Sequence, residues 1–340
     1  MPRQIERLTH AVPRAGPGAR AIAVYAEALS AERGRPDIQR AARERGEEGV
    51  ACVDDAARAA VLFCRLWTRY RVESARVAAR GLLRFLAWMQ DEDGRFVNFI
   101  LSWTGEQNRD GVTSYPGGPQ WQARAIHALA WGAAVFADEP EWDARFRRGA
   151  GRVSGDLPYL DVRAVCVLAA LKHWQATGCA ASAERASAWS DTIAGQRDGA
   201  GRLENAAGVR PIHLWGHLQE AALVETGAAL GRPDLVDCAR GSAESLLLPA
   251  VEAIRGRDQV LPFDVSCVVA GLAAVGRATG DARYAEAAGR ARSWFLGRNS
   301  AGRPVYDEAL SLVYDGIDAG RMSRNSGAES NIEGALAFLD

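Results

Sequence analysis

The feature that most constrains this chain is a repeated helical hairpin. An apolar helix rich in small residues is followed by a short turn and then by an amphipathic helix that carries Arg and Glu. The clearest copy begins at Phe263, turns at Gly280 and returns from Tyr284 to Leu296. Gly280 suits the position after a helix end, and Asp281 suits the next N-cap. Because strand signals are nearly absent, the pattern predicts an all-α fold.

Further copies of the hairpin follow one another along the chain. Their apolar helices begin at Val53, Pro119, Tyr159 and Leu214, and their return helices cover roughly 74–90, 141–152, 182–196 and 234–254. One helix at each end of the chain, roughly Ala19–Glu32 and 327–339, has no neighbour to pair with in sequence. Pairing these two gives six hairpins.

Six hairpins in this order predict an (α/α)6 toroid with six inner and six outer helices, closed by pairing the N-terminal and C-terminal helices. An open α-solenoid also stacks helix pairs and is the alternative. The long polar loops 91–118, 197–213 and 298–326 each precede an inner helix, so they would crowd one face of a closed ring, as loops do around a cleft. We expect a single domain over residues 1–340, with residues 1–14 flexible.

Composition excludes several classes of function. The formal net charge of −1 argues against binding nucleic acid through bulk charge. No stretch approaches the 18 consecutive apolar residues that would suggest membrane insertion, and the N-terminus has no apolar signal region, so we expect a cytoplasmic protein. The six cysteines are spread out without a CxxC pair, which favours reduced thiols over a disulfide or a metal site.

Polar and aromatic side chains recur where the inner helices begin. Carboxylates, amides and flat rings together are typical of a carbohydrate site, because sugar hydroxyls need polar partners and sugar C–H faces pack on rings. Two carboxylates there could serve as acid and base, or acid and nucleophile, at an acetal. The candidate catalytic residues are Asp54, Asp55, Glu329 and Asp264. The candidate substrate-binding residues are Trp103, Trp121, Gln122, Tyr159, Asp161, His213, Trp215, His217, Tyr314, Asp315, Asn325 and Glu333.

The strongest carboxylate candidates also have structural explanations. Either aspartate could cap its helix, and Asp54 could pair with Arg58 at i, i+4, but two adjacent aspartates leave one free. Glu329 and Glu333 share one helix face, where like charges repel, although the helix dipole favours acids near a helix start. The glutamate pair is therefore consistent with a functional site, but the helix dipole offers a structural explanation for it as well.

The remaining polar candidates allow similar alternatives. Asp264 could be a simple N-cap, and Asp161 could cap its helix or pair with Arg163. His213 and His217 have the i, i+4 spacing of metal ligands on a helix, but no HExxH pattern accompanies them. We therefore expect these histidines to contact sugar or to lie in the core, and we expect neither a metal nor another cofactor.

A further group of motifs covers segments 49–59, 85–99, 294–299, 304–307, 314–317 and 325–333. Together these segments resemble a family of bacterial all-α domains that are often fused behind a glycosyltransferase or encoded beside mannoside-processing enzymes. The resemblance runs from about residue 45 to the end, and its C-terminal motif is the most specific part. It implies a six-hairpin glycosidase toroid in a carbohydrate context.

The leading hypothesis is a glycoside hydrolase that acts on a small oligosaccharide or glycoconjugate, with a glycosyltransferase as a possible partner in trans. Asp54 or Asp55 would face Glu329 from the opposite side of the ring, with Glu329 in a partly apolar pocket as the acid and the aspartate activating water.

A lyase or sugar epimerase is the second hypothesis. In that case His213, His217 or Tyr159 would abstract a proton, and Arg124 or Arg163 would bind a carboxylate of the substrate. A glycan-binding protein without catalysis is the third.

Overall fold

The computed structural model describes residues 3–26 and 48–340, and helices dominate it. Numbered in chain order, the helices are α1 (Gln4–Arg7), α2 (Val53–Tyr70), α3 (Glu73–Met89), α4 (Pro119–Val135), α5 (Glu141–Ala150), α6 (Leu160–Thr177), α7 (Ala180–Ala194), α8 (Gln219–Leu230), α9 (Pro233–Ser242), α10 (Leu248–Gly256), α11 (Pro262–Thr279), α12 (Ala282–Arg292) and α13 (Ala328–Leu339). The five-residue interval between α9 and α10 is a π-helical segment, Ala243–Leu247.

Six of these helices form a closed inner ring. Helix α2 packs against α4, α4 against α6, α6 against α8, α8 against α11, and α11 against α13, which returns to pack against α2. Among the described residues, the outer layer consists of α3, α5, α7, α9, α10 and α12. Helices α3, α5, α7, α9 and α12 each pack on the inner helix that precedes them, whereas α10 packs on α11 and α12. The closed ring confirms the predicted (α/α)6 toroid and excludes the open solenoid.

The inner helices are apolar on most of their circumference because a neighbour covers each side. Helix α11 buries Phe263, Val265, Val268 and Leu272 among its core residues. Small residues allow close approach: a Cβ on Gly271 would lie 2.5 Å from Leu247 Cδ1. The apolar, small-residue pattern of the sequence is therefore the pattern of a helix covered on all sides.

Short antiparallel strands fasten the loops at the ends of the ring. The described strands are β1 (Thr9–Ala11), β2 (Arg20–Ile22), β3 (Ala51–Cys52), β4 (Phe99–Ile100), β5 (Gln107–Asn108), β6 (Tyr306–Asp307), β7 (Leu312–Val313), β8 (Ile317–Asp318) and β9 (Arg321–Met322). The β3–β4–β5 sheet joins the 91–118 loop to the residues just before α2. This pairing holds the loop over the start of the first inner helix.

The N-terminal segment differs from two predictions. Residues 3–14, expected to be flexible, form α1 and β1 and bury Ile5, Leu8 and Val12, because β1 pairs with β2 and the apolar side chains pack into the core. The helix expected over Ala19–Glu32 begins instead as strand β2, and its residues 27–32 lie outside the described residues.

Two further findings concern the described residues as a whole. All six cysteines are unpaired, and four of them are buried. No described helix combines the length and the apolar character that crossing a membrane requires.

Candidate functional site

Helix α2 begins with two adjacent carboxylates, Asp54 and Asp55, and groups outside these two side chains bind the first backbone N–H groups of the helix. Asn98 O accepts a hydrogen bond from Val53 N over 2.8 Å, and Asn98 Oδ1 accepts one from Asp54 N over 3.2 Å. Cys52 Sγ accepts from Asp55 N over 3.4 Å. Since the helix end is satisfied in this way, neither aspartate is needed as the N-cap.

Arg58, one turn further along α2, binds four carboxylates. Its Nε lies 3.2 Å from Asp54 Oδ1, and its Nη2 donates to Asp55 Oδ1 over 2.6 Å and to Glu329 Oε2 over 3.1 Å. Its Nη1 donates to Glu333 Oε1 over 2.9 Å. The guanidinium therefore joins the first inner helix to the last one, and its five N–H donors make this geometry possible.

Asp54 is the carboxylate most strongly held in its charged form. It also accepts a hydrogen bond from Arg124 Nη1. Burial alone would raise its pKa, but the charges of Arg124 and Arg58 outweigh that effect and lower the pKa below its usual range. The predicted i, i+4 pair with Arg58 is present, and it is one contact of a larger network.

Asp55 occupies a buried position that favours the protonated form of its carboxyl group. Its side chain is only 4% exposed, and burial raises its pKa to about 6 against the opposing charge of Arg58, with Asp54 and Glu329 adding to the rise. The Cys52 thiol donates to Asp55 Oδ2 over 3.4 Å. Asp55 is thus both positioned and poised to donate a proton.

The two glutamates of α13 occupy different environments. Glu329 is 36% exposed and lines the cleft, whereas Glu333 is buried, accepts a hydrogen bond from Ser266 Oγ over 2.6 Å and faces the pore. Burial raises the pKa of Glu333. The sequence interpretation expected a partly apolar pocket around Glu329. In the structure Asp55 is the more deeply buried of the two side chains, and Glu329 is the more exposed.

The carboxylates come from neighbouring helices of the ring. Because Asp55 Oδ1 and Glu329 Oε2 lie 2.6 and 3.1 Å from the same Nη2 atom, the two oxygens are within about 6 Å of each other. The expectation that they face each other from opposite sides of the ring is wrong, because ring closure places α13 directly beside α2.

A cleft of about 720 Å³ opens above these carboxylates. Aromatic rings line it: Tyr115 meets Trp121 edge to face, with ring centroids 5.0 Å apart, and Trp215 meets Phe263 edge to face at 5.3 Å. A pore of about 370 Å³ continues along the axis of the ring, and the two cavities share Arg58, Gln120 and Trp215. Charged floor and aromatic walls suit a ligand with many hydroxyls.

Several predicted binding residues lie at this site. Trp121, Trp215 and Asp315 line the cleft, and Asp315 Oδ1 accepts from Gly327 N over 2.7 Å just before α13. Asp161 lines the pore, where burial raises its pKa. His213 Nε2 lies 3.9 Å from Asp161 Oδ2 and remains substantially exposed.

Other predicted residues have structural roles. Gln122 accepts from Phe96 N over 3.1 Å and donates to two backbone carbonyls, so its amide is fully used. His217 is buried against Glu220 at 3.0 Å. Asp264 accepts a hydrogen bond from Leu261 N over 2.9 Å, which is the helix-capping role that the sequence allowed as an alternative to catalysis. Asp161 does not pair with Arg163, which donates to backbone carbonyls in the preceding loop.

The remaining candidates lie outside the lining of both cavities in the described part of the chain. Trp103 packs on His10 with ring centroids 4.3 Å apart, and Tyr314 donates its hydroxyl to Asp307 over 3.2 Å. Tyr159 is exposed at the residue before α6. Asn325 accepts from Asp315 N over 2.9 Å through its backbone carbonyl. The presence of an aromatic ring or an amide in the sequence was therefore not enough to tell these residues from those that line the cleft.

The central residue that sequence reasoning missed as part of the site is Arg58. It was considered only as a neighbour of Asp54, yet it binds every carboxylate of the cluster. The sequence did carry a signal for this role: Arg58 stands among Ala57, Ala59 and Ala60 on an apolar helix. A charged side chain on a covered helix face needs several polar partners. Among the described residues, no group of three or more His, Cys, Asp or Glu side chains is arranged to hold a metal ion.

The fold is similar to solved structures of sugar-processing enzymes. Cellobiose 2-epimerase from Spirochaeta thermophila matches with a TM-score of 0.71 at 12% identity, over 95% of this chain and 90% of that one. A D-mannose isomerase matches with a TM-score of 0.69 at 11% identity, over 95% and 92%. The GH76 α-mannanase of Bacteroides thetaiotaomicron matches with a TM-score of 0.64 at 9% identity, over 86% of each chain.

The chain has the (α/α)6 toroid fold. No family model matches the sequence, and no curated protein matches it. At these identities the similarity establishes the architecture, and chemistry must be argued from the site itself.

Proposed function

We propose that this protein is a carbohydrate-active enzyme, and specifically a glycoside hydrolase that cleaves a small oligosaccharide or glycoconjugate. One observation carries the proposal. A buried carboxyl with a pKa of about 6, Asp55, lies within about 6 Å of the cleft-facing carboxylate of Glu329, at the floor of an aromatic-walled cleft. The similar folds named for epimerases, an isomerase and a mannanase support a sugar as the substrate.

Asp55 serves as the acid and Glu329 as the nucleophile. Glu329 attacks the anomeric carbon as the bond to the leaving oxygen breaks, and that oxygen takes the Asp55 proton. Asp55, now a carboxylate, then accepts a proton from water, whose oxygen bonds to the anomeric carbon and releases Glu329. Arg58 holds both groups, and the charge of the aspartate pair is balanced by Arg124 on Asp54.

The test is mass spectrometry of a panel of mannosides, glucosides, galactosides and uronides after incubation with wild type, Asp55→Asn and Glu329→Gln. Wild type should cleave one class, and each variant should lose about a hundredfold or more of the rate. Exposed positions supply matched controls: Asp138→Asn and Glu286→Gln should keep the wild-type rate. Full activity of Glu329→Gln would contradict the assignment.

A second assay separates the two roles. A glycoside with an activated aryl leaving group needs no proton for departure, so Asp55→Asn should recover much of its activity on that substrate. Glu329→Gln should not recover, because the attacking group is missing. Equal recovery of both variants would contradict these roles.

An epimerase or isomerase is the second candidate, and the pair of His213 and Asp161 favours it. The exposed imidazole lies 3.9 Å from a carboxylate that lines the pore, so a paired base stands at the mouth of the cavity. In this case products would keep the substrate mass in H2O but gain one deuterium in D2O, and His213→Asn would abolish the exchange. Cleavage without deuterium gain at carbon would exclude this candidate.

A further inference from the structure

The pore does not end at the carboxylates. Its far part is a second polar chamber near the other end of the inner helices, which we call the far chamber. Lys172 lies on α6 eleven residues beyond Asp161, a rise of roughly 16 Å along the helix. The far chamber is therefore separate from the cleft. It is lined by Arg65, His127, Trp131, Lys172, Glu225 and Arg277.

Lys172 is the cation of this chamber that has no carboxylate in direct contact. Its Nζ lies 4.1 Å from the centroid of the Trp131 ring, and no described carboxylate lies within 4.0 Å of it. The neighbouring arginines have direct partners: Arg65 Nη2 lies 2.5 Å from Asp340 Oδ1, and Arg277 Nη2 lies 3.8 Å from Glu225 Oε1. Burial lowers the pKa of Lys172 although the more distant charge of Glu225 opposes this, so a bound anion would offset the cost of burying the ammonium group.

His127 adds a donor to the same chamber. The Trp131 indole N–H can only donate, and it lies 3.2 Å from His127 Nε2, so Nε2 must accept and the ring proton must sit on Nδ1. Burial, with the charges of Lys172 and Arg65, lowers the pKa of His127 to about 3, which keeps the ring neutral. The ring therefore offers an Nδ1–H group, and Lys172 and Arg65 supply further N–H donors.

The helix dipole does not explain why a buried cation stands at position 172. Cations near the C-terminal turns of the inner helices are stabilised by the helix dipole, which suits Arg277, two residues before the end of α11. Lys172 lies five residues before the end of α6, beyond the last turn, where this effect has faded. It is also the only lysine of a chain whose other basic residues are arginines, and its ammonium is the more compact charge.

We propose that the far chamber is a second binding site, distinct from the cleft, for a small molecule that carries a carboxylate or phosphate group. The anion contacts Lys172, and the Nδ1–H of His127 and the guanidinium of Arg65 complete its hydrogen bonds. These N–H donors, with a cation that no carboxylate contacts directly, fit an anion rich in acceptor oxygens, since hydrogen bonds between charged groups are stronger than those between neutral groups. This inference concerns binding and does not depend on the reaction in the cleft.

Calorimetric titration of the full chain with inorganic phosphate, D-glucuronate and neutral D-glucose tests the site. We expect an anion to bind, with phosphate alone indicating a phosphate ester, glucuronate alone a sugar carboxylate, and both a general anion site. Lys172→Met should weaken binding about tenfold or more, and Lys172→Arg should retain part of it. Arg185→Gln, at an exposed position on the outer layer, should bind like wild type.

Chemical protection locates the site in the unaltered protein. Because Lys172 is the only lysine, acetylation of its amine is read from one peptide by mass spectrometry. The bound anion should slow that acetylation several-fold. The proposal is overturned if neither anion binds, if glucose slows the acetylation of Lys172 as much as the anion does, if Lys172→Met binds the anion as tightly as wild type, or if Lys172 acetylates at the same rate with and without the anion.

Discussion

Arg58 Nη1 donates to Glu333 Oε1 over 2.9 Å, and this ion pair joins residues 275 positions apart in sequence. It spans the seam where the last inner helix returns to the first. The same guanidinium also binds the two aspartates of α2 and Glu329, so one side chain both closes the ring and organises the candidate site.

Replacing Arg58 should destabilise the protein strongly. In Arg58→Met, buried carboxylates lose their shared cation, and we expect a loss of about 3–5 kcal/mol in the free energy of unfolding near neutral pH. Urea denaturation measures it, with the exposed Arg185→Met as the control. The loss should shrink in acid as the carboxylates become protonated. A change below about 0.5 kcal/mol would mean that the cluster contributes little to closure.

Ionisation of Asp55 should lower the free energy of unfolding as pH rises. Its pKa is raised to about 6 in the folded protein from 3.8, so its contribution to stability is full below pH 3.8 and is lost as pH rises through about 6. Asp55→Asn should therefore become more stable relative to wild type between pH 4 and 7. Thermal unfolding across that range measures the difference, and an unchanged difference would contradict the raised pKa.

Cleavage should retain the anomeric configuration. The Asp55 and Glu329 oxygens lie within about 6 Å, below the ~6.5–9.5 Å separation of inverting enzymes. Proton NMR of the first product formed distinguishes the anomers before mutarotation. Product of inverted configuration would mean that a water molecule, and a more distant carboxylate, performs the attack.

Trp215 should contribute to substrate binding more than to chemistry. It is 37% exposed and lines both cavities, whereas Trp88 on α3 is 38% exposed and lines neither. Trp215→Ala should raise KM about three- to tenfold with a smaller effect on kcat, as loss of an aromatic platform predicts. Trp88→Ala should leave KM unchanged. A fall in kcat alone for Trp215→Ala would place this ring in the chemical step.

Hairpin periodicity was sufficient to predict the toroid, because the inner helices repeat an apolar pattern and turns such as Gly231–Asp234 and Gly280–Asp281 carry Gly and Asp signals. It was insufficient at the N-terminus, where Arg20–Ile22 pairs as a strand through contacts that local sequence does not reveal. For the site, the sequence placed Asp54, Asp55, Glu329 and Glu333 at helix starts. Of the aromatic candidates, Trp121 and Trp215 line the cleft, whereas Trp103, Tyr159 and Tyr314 do not. The packing of the helices and loops decides which rings point into the cleft.

Sequence by itself determined the helical hairpins and the carboxylates that begin α2 and α13, since helix periodicity and helix-start positions are local. Tertiary structure decided which carboxylates meet, because α13 returns beside α2 only when all the intervening hairpins have packed. It also decided how deeply each carboxyl group is buried. The Asp55 side chain is 4% exposed and the Glu329 side chain is 36% exposed, and desolvation, which depends on every neighbouring element, raises the pKa of Asp55.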